Sequence, residues 1–158
     1  MRRLKKSGTL TAAGYDFGPN QGLNLSNVFT SNTYSVALEF QLTDISGYRK
    51  ILDVADQGSD DGLYDLNGEL QFFNETGSTP VSIAANTNIF VVFARDNATN
   101  MIAGYVNGVQ EFDLTGSGGE ADFRGANNIA RFFEDDNVTG QREASGGWWT
   151  TSPRTTLR

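Results

Sequence analysis

Apolar and polar residues alternate along much of the chain, most clearly from Thr33 to Thr43. The apolar positions there are Tyr34, Val36, Leu38, Phe40 and Leu42. A period of two places alternate side chains on opposite faces of a β-strand. We therefore predict a strand with one buried face and one face in water.

Two Asn-Gly pairs, Asn67-Gly68 and Asn107-Gly108, each separate two short apolar segments. The flanking segments are residues 63–66 and 69–73 for the first pair, and 101–106 and 109–112 for the second. Asn-Gly favours a type I′ turn, whose twist suits antiparallel strands. Both regions are predicted β-hairpins.

The remaining apolar segments are short and lie between turn-forming residues. Residues 88–94 form a continuous apolar run, which predicts a central strand covered on both faces. Shorter candidate strands are residues 22–26, 48–54 and 127–134. No helical period extends beyond one turn, so we predict an all-β jelly-roll sandwich of two antiparallel sheets with almost no helix.

Composition narrows the chemistry that the chain can perform. Its 158 residues suit one domain, and the net charge of −7 opposes binding to nucleic-acid phosphates. The absence of His and Cys excludes imidazole bases, thiolates, disulfides and Cys/His zinc sites. A bound metal would need oxygen ligands, which favours calcium.

The basic start, Met1 to Lys6, is followed by Ser7-Gly8-Thr9 rather than by an apolar run. The sequence therefore predicts no signal peptide here. Nothing approaches the roughly 20 apolar residues that a membrane helix needs, so we expect no membrane insertion.

Several motifs together resemble bacterial laminin-G-like, concanavalin A-like lectin/glucanase domains. They are Tyr48 to Asp53, Asp60 to Tyr64, Ala94 to Thr99, Gly104 to Gln110, Arg131 to Asp136 and Glu143 to Gly147. The resemblance implies a jelly-roll sandwich in an extracellular or cell-surface protein. We place the domain at residues 9–147, with 1–8 and 148–158 as atypical terminal segments.

After Gly147 the chain departs from that family, whose members continue with a closing strand similar to Val-Asp-x-Ile. Trp148-Trp149-Thr150 read one frame over must encode Val-Asp, because Trp has only the codon TGG and every Thr codon begins AC. We therefore hypothesise a frameshift or truncation after Gly147, and we expect no closing strand. The family's first strand is also expected to be missing from the start.

Acidic residues gather in two segments that could meet at one edge of the sandwich. The predicted calcium ligands are Asp60, Asp61, Asp135, Asp136 and Asn137, with Glu134 and Glu143 nearby. The alternative is a solvated acidic loop, or pairing with Arg49, Arg95, Arg131 or Arg142.

A catalytic reading would need the E-x-D-x-x-E pattern of laminarinase-like glycosidases. Glu111 and Asp113 match its first two positions, but Gly116 stands where the third acid belongs. We therefore predict that the chain is not an enzyme.

Sugar sites present aromatic faces beside polar groups, and the candidate ligand-binding residues are Tyr64, Asp96 and Tyr105. Asp96 has a second interpretation as the cap of the turn at residues 97–100, with Arg95 pairing to an acid. We predict a non-catalytic recognition or adhesion module for carbohydrate or a cell-surface protein. The rival hypotheses are a laminarinase-like glycoside hydrolase and an architectural spacer.

Overall fold

The computed structural model of the chain describes residues 5–6, 8–73, 80–124, 128–150 and 156–157. Within these ranges every regular element is a β-strand, and no helix there is long and apolar enough to cross a membrane. The strands are β1 (Lys5–Lys6), β2 (Thr9–Leu10), β3 (Gly14–Phe17), β4 (Leu23–Leu25), β5 (Tyr34–Leu42), β6 (Tyr48–Asp53), β7 (Gly62–Leu66), β8 (Glu69–Phe73), β9 (Ile89–Asp96), β10 (Met101–Val106), β11 (Val109–Thr115), β12 (Ala130–Phe132), β13 (Gly147–Thr150) and β14 (Thr156–Leu157).

The strands form two antiparallel sheets, as predicted. A six-stranded sheet has the order β1-β4-β12-β6-β7-β8. An eight-stranded sheet has the order β11-β10-β9-β5-β13-β3-β2, and β14 pairs with β5 beside that path. The inner faces enclose a core whose largest members include Phe40, Phe72, Phe93, Phe132 and Phe133, each at most 1% exposed. Burial of this apolar surface is the main force that holds the two layers together.

The clearest sequence predictions are confirmed. Along β5, buried and half-buried residues alternate without exception. Asn67 and Gly68 have φ of 53° and 94°, and Asn107 and Gly108 have φ of 51° and 86°. Positive φ at both central residues is the requirement of a type I′ turn, so both hairpins form as predicted.

The strand predicted at residues 88–94 forms as β9, but it is not covered on both faces. Ile89, Val91 and Phe93 enter the core, whereas Phe90 and Val92 stay half-buried. β9 lies inside the sheet, between β10 and β5. The prediction was wrong on this point because the apolar residues on the outward face of β9 are only half-buried.

The prediction of a missing closing strand is wrong. Residues 147–150 form β13, which pairs with β3 on one side and β5 on the other. Trp149 enters the core with 9% exposure, and its ring lies 5.4 Å from Phe132 and 6.0 Å from Phe133, between centroids. A strand here needs one inward apolar side chain, and Trp149 supplies it whatever the origin of the tail. The predicted boundary at Gly147 therefore falls inside β13.

Candidate functional site

The outer face of the six-stranded sheet carries the most unusual set of side chains in the described residues. Strand register places Lys50 opposite Tyr64, and Tyr64 opposite Gln71, on the face that points away from the core. A bulge in β6 inserts Ile51, so that Ile51 and Leu52 both enter the core and Asp53 returns to the outer face. Polar and aromatic groups from three neighbouring strands thus share one surface.

Tyr48, Tyr64 and Phe73, which we call the aromatic triad, meet on this surface edge to face. The ring centroids are 5.5 Å apart for Tyr48 and Tyr64, 5.9 Å for Tyr48 and Phe73, and 6.2 Å for Tyr64 and Phe73. T-shaped contacts of this kind stabilise aromatic clusters beyond the area they bury. Tyr64 is 1% exposed, but Tyr48 and Phe73 remain partly open to solvent.

Polar groups of β8 lie beside the aromatic triad on the same face. The Gln71 side-chain amide donates a hydrogen bond of 3.1 Å to a Glu69 carboxylate oxygen, and both residues are half-buried. β8 is the edge strand of the sheet along its ordered path. A half-buried amide and a half-buried carboxylate therefore lie beside the rings.

Next to the aromatic triad, Lys50 is buried among carboxylates. Its ammonium lies 2.6 Å from Asp136 Oδ2 and 3.7 Å from Asp53 Oδ2, and it donates a 3.4 Å hydrogen bond to the backbone carbonyl of Asp60. The same ammonium stands 4.5 Å from the Tyr64 ring centroid, a cation–π contact. We call Lys50, Asp53, Asp60 and Asp136 the Lys50 cluster.

The carboxyls of this region have strongly displaced pKa values. Burial alone would raise the pKa of Asp136, but hydrogen bonds from Lys50 and Asp60 lower it to about 2. Burial and the bond shared with Asp136 raise the pKa of Asp60 to about 6, and burial raises the pKa of Asp53. Burial and the charge of Asp135 raise the pKa of Glu143 to about 7. Below pH 6, therefore, the Asp60 carboxyl is protonated and donates a hydrogen bond to the ionised Asp136.

The structure brings some of the predicted calcium ligands together and separates others. Asp60 and Asp136 share the hydrogen bond above, whereas Asp61 pairs with Arg124 at 2.8 Å. Asp135 Oδ2 accepts hydrogen bonds from the Thr139 hydroxyl at 2.9 Å and the Glu143 amide at 2.8 Å.

Asn137 Oδ1 accepts a hydrogen bond from the Gln141 side chain instead of facing those carboxylates. Among the described residues, no group of three or more acidic side chains is arranged to hold a metal ion. Calcium binding stays a prediction.

Sequence reasoning missed Lys50. No local signal distinguishes it, because β6 also carries Arg49 and Asp53 and lysine side chains are usually exposed. Its ammonium contacts two of the predicted calcium ligands, Asp136 through a carboxylate oxygen at 2.6 Å and Asp60 through the backbone carbonyl at 3.4 Å.

The three predicted ligand-binding residues do not form one site. Tyr64 belongs to the aromatic triad, while Tyr105 lies half-buried on the outer face of the eight-stranded sheet. Asp96 caps the turn after β9, accepting bonds from the Ala98 amide at 3.0 Å and the Thr99 hydroxyl at 2.8 Å. Arg95 pairs with Asp122 at 2.5 Å. The capping interpretation of Arg95-Asp96 is therefore confirmed.

The two acids of the incomplete glycosidase pattern lie on β11, an edge strand of the other sheet. Glu111 is half-buried and Asp113 is exposed. The register of β10 and β11 shifts between Gly104 and Tyr105, so Glu111 lies in a bulge without a direct partner, whereas Asp113 pairs with Ala103.

No family model and no curated protein matches the sequence. Solved structures do match the fold. Domain 4 of AbnA, a GH43 extracellular arabinanase from Geobacillus stearothermophilus in complex with arabinotriose, has a TM-score of 0.65 and 16% identity over 94% of this chain and 72% of that one.

Two further matches are a carbohydrate-binding module and an enzyme. The CBM40 of the Ruminococcus gnavus IT-sialidase, bound to α2,3 sialyllactose, has a TM-score of 0.62 and 14% identity over 91% of this chain and 89% of that one. A mutant Trypanosoma rangeli sialidase with trans-sialidase activity has a TM-score of 0.62 and 15% identity over 94% of this chain but only 26% of that one. Likenesses at these identities concern the fold, and they confirm the predicted jelly-roll β-sandwich.

Proposed function

We propose that the chain is a non-catalytic carbohydrate-binding module that holds a glycan against the aromatic triad. The observation that carries this proposal is the partly exposed pair of rings, Tyr48 and Phe73, beside Gln71 and Glu69 on one sheet face. A sugar ring has an apolar face and a rim of hydroxyls, so it needs an aromatic surface together with hydrogen-bonding groups. This sheet face offers both.

The aromatic triad is rigid enough to serve as a preformed platform. The Tyr64 hydroxyl lies 3.3 Å from Asp136 Oδ2, while its ring meets the Lys50 ammonium on a face and the two other rings at edges. A buried residue fixed on several sides holds its neighbours in place. Rings that are ordered before binding lose little conformational freedom when a sugar stacks on them.

The carboxylates near the aromatic triad support a binding role over a catalytic one. A retaining glycosidase needs two carboxyls about 5 Å apart that both reach the substrate. Asp136 is 0% exposed and accepts hydrogen bonds from Lys50 and from the Val138 and Thr139 amides. An acid enclosed in this way stabilises the fold and cannot reach a substrate.

The structural neighbours also support a carbohydrate-binding role. The Ruminococcus gnavus match is itself named a carbohydrate-binding module, and the Geobacillus match is a domain of an extracellular enzyme. We extend the proposal to an extracellular or cell-surface setting and to a laminin-G-like ancestry, for which the sequence motifs are the support.

A glycan array followed by affinity measurement on the best ligand tests the proposal. Tyr48→Ala and Phe73→Ala should each weaken binding at least tenfold, because truncating a central aromatic anchor costs about 2 kcal/mol or more and about 1.4 kcal/mol is tenfold in affinity. Phe90→Ala is the matched control, since it removes a half-buried aromatic from the outer face of the other sheet. Unchanged binding in both triad variants, with normal thermal unfolding, would contradict the proposed site. Hydrolysis of an array glycan would favour an enzyme instead.

A further inference from the structure

Cationic side chains in the described part of the chain are almost all engaged by carboxylates. The ion pairs are Lys50 with Asp136, Arg49 with Asp44, Arg95 with Asp122, Arg124 with Asp61, and Arg131 with Asp56 and Glu134. Among described side chains, only the exposed Arg142 has no ion pair with another described residue. A carboxylate or sulfate on a ligand would therefore find few free partners among the described cations.

Lys50, the cation closest to the aromatic triad, is unavailable to a ligand. Its side chain is 0% exposed, and its ammonium already faces Asp136, Asp53 and the Tyr64 ring. Arg49, on the same strand, donates to Asp44 from two guanidinium nitrogens, at 3.1 Å and 2.5 Å. Binding an anion through either cation would require breaking an existing ion pair.

Carboxyl groups, in contrast, surround the aromatic triad. Burial, and after it the nearby carboxyls of Asp136, Asp60, Glu143 and Asp135, raise the pKa of the Tyr64 hydroxyl. Glu69 adds a half-exposed carboxyl on the rim. The whole chain carries a net charge of −7, which repels anions at longer range.

We infer that the glycan held at the aromatic triad is uncharged, an oligosaccharide of neutral hexoses or pentoses, and that sialylated and sulfated glycans are rejected. This inference rests on the proposed function and names its ligand class. The two ligand-bound neighbours differ on this point, since arabinotriose is neutral and sialyllactose is anionic. The charges around the triad place this chain with the former type.

The test uses the whole chain on an array of neutral, sialylated and sulfated glycans, with arabinotriose, lactose and α2,3-sialyllactose also measured by calorimetry. We expect every bound glycan to be neutral, and we expect a sialic acid or sulfate added to a bound glycan to weaken binding at least tenfold. Equal or tighter binding of the anionic form would overturn the inference while leaving the proposed function intact. Binding of no glycan at all would overturn the proposed function itself, and this inference with it.

Charge variants sharpen the result. Glu69→Arg replaces the rim carboxylate with a cation and should improve the binding of the sialylated form relative to the neutral form by about two- to fivefold, the scale of an exposed ion pair. Glu39→Arg makes the same change on the outer face of the eight-stranded sheet and should leave the ratio unchanged. Arg142→Met should also leave it unchanged. If Arg142→Met changed the ratio of sialylated to neutral binding and Glu69→Arg did not, an anion-binding site would exist, contrary to the inference.

Discussion

The two outer faces of the sandwich differ in how far their outward side chains are exposed to solvent. On the eight-stranded sheet, the outward residues of β5, such as Ser35, Ala37 and Glu39, are all half-exposed. On the six-stranded sheet, the outward residues Lys50 and Tyr64 are each only 1% exposed. The alternation of apolar and polar residues thus predicts the exposure of the eight-stranded sheet's outer face well, but it does not predict the burial of Lys50 and Tyr64 on the six-stranded sheet.

The difference comes from the loop after β12, which folds back over the six-stranded sheet. Its Asp136 reaches Lys50, and the Glu143 carbonyl accepts a 2.8 Å hydrogen bond from the Lys50 amide. Groups that would be solvated on an open sheet are therefore buried, and buried charges must be paired. A sheet face covered in this way becomes rigid, which suits a binding platform.

The largest expected effect follows from removing the buried cation. Lys50→Met should lower the free energy of unfolding by about 3–5 kcal/mol, because Asp136 and Asp53 would be left in a buried site without their partner. Glu39→Met, on the open face, should change it by less than about 0.5 kcal/mol. Urea unfolding of both variants measures the contrast.

The double variant Lys50→Met with Asp136→Asn separates charge from packing. It removes both charges but keeps an oxygen that can accept the Val138 and Thr139 amides. We expect it to be more stable than Lys50→Met alone. A double variant that is less stable would show that the ion pair is not what Lys50 contributes.

A smaller effect is the pH dependence of stability, which we attribute to carboxyls on or beside the six-stranded sheet. Burial raises the pKa of Asp65 to about 7, from 3.8, and Asp60 and Glu143 are raised to about 6 and about 7. A raised pKa means that the folded state keeps a proton which the unfolded state loses, so stability should fall as pH rises from about 4 to 7. Below pH 4 the lowered pKa of Asp136 reverses the trend. Maximum stability is expected near pH 4.

Asp65→Asn tests the main contributor to that slope. Asp65 is 0% exposed, and Oδ1 accepts a 2.9 Å hydrogen bond from the Gly68 amide, which an asparagine oxygen can also accept. The variant should be more stable than the native chain at pH 8 by about 1 kcal/mol and should show a flatter profile between pH 4 and 7. An unchanged profile would mean that Asp65 is ionised in the fold.

The smallest effects are expected on the open side of the molecule. Asp96→Ala removes the cap of the turn after β9 and should cost about 0.5–1 kcal/mol of stability. Neither Asp96→Ala nor Tyr105→Ala should change glycan affinity, because both residues lie on the eight-stranded sheet. A loss of affinity in either variant would indicate that the glycan binds to the eight-stranded sheet instead.

Local signals in the sequence were enough for most of the fold. Alternation in β5 and the two Asn-Gly turns depend on a few adjacent residues, and each formed as predicted. The prediction of a missing closing strand was wrong because it depended on the mismatch between Trp148-Trp149 and a family motif. The strand itself needs only inward–outward alternation, which lets Trp149 fill the core.

The candidate site was harder to predict because its parts are distant in sequence. Asp60 and Asp136, which the sequence analysis groups by their acidity, do lie together, but nothing local indicates that Lys50 lies between their segments and forms an ion pair with Asp136. The partners of Tyr64 in the aromatic triad likewise come from β6 and β8, so their convergence depends on strand register. Long-range pairing of this kind is set by the fold as a whole.

The central claim is that a neutral glycan binds at the aromatic triad, and amide chemical-shift mapping during titration with the best array ligand tests it most directly. The account predicts that the largest changes occur at Tyr48, Gln71 and Phe73, with little change along β9 and β10. Changes concentrated on Val92 and Tyr105 instead would contradict it.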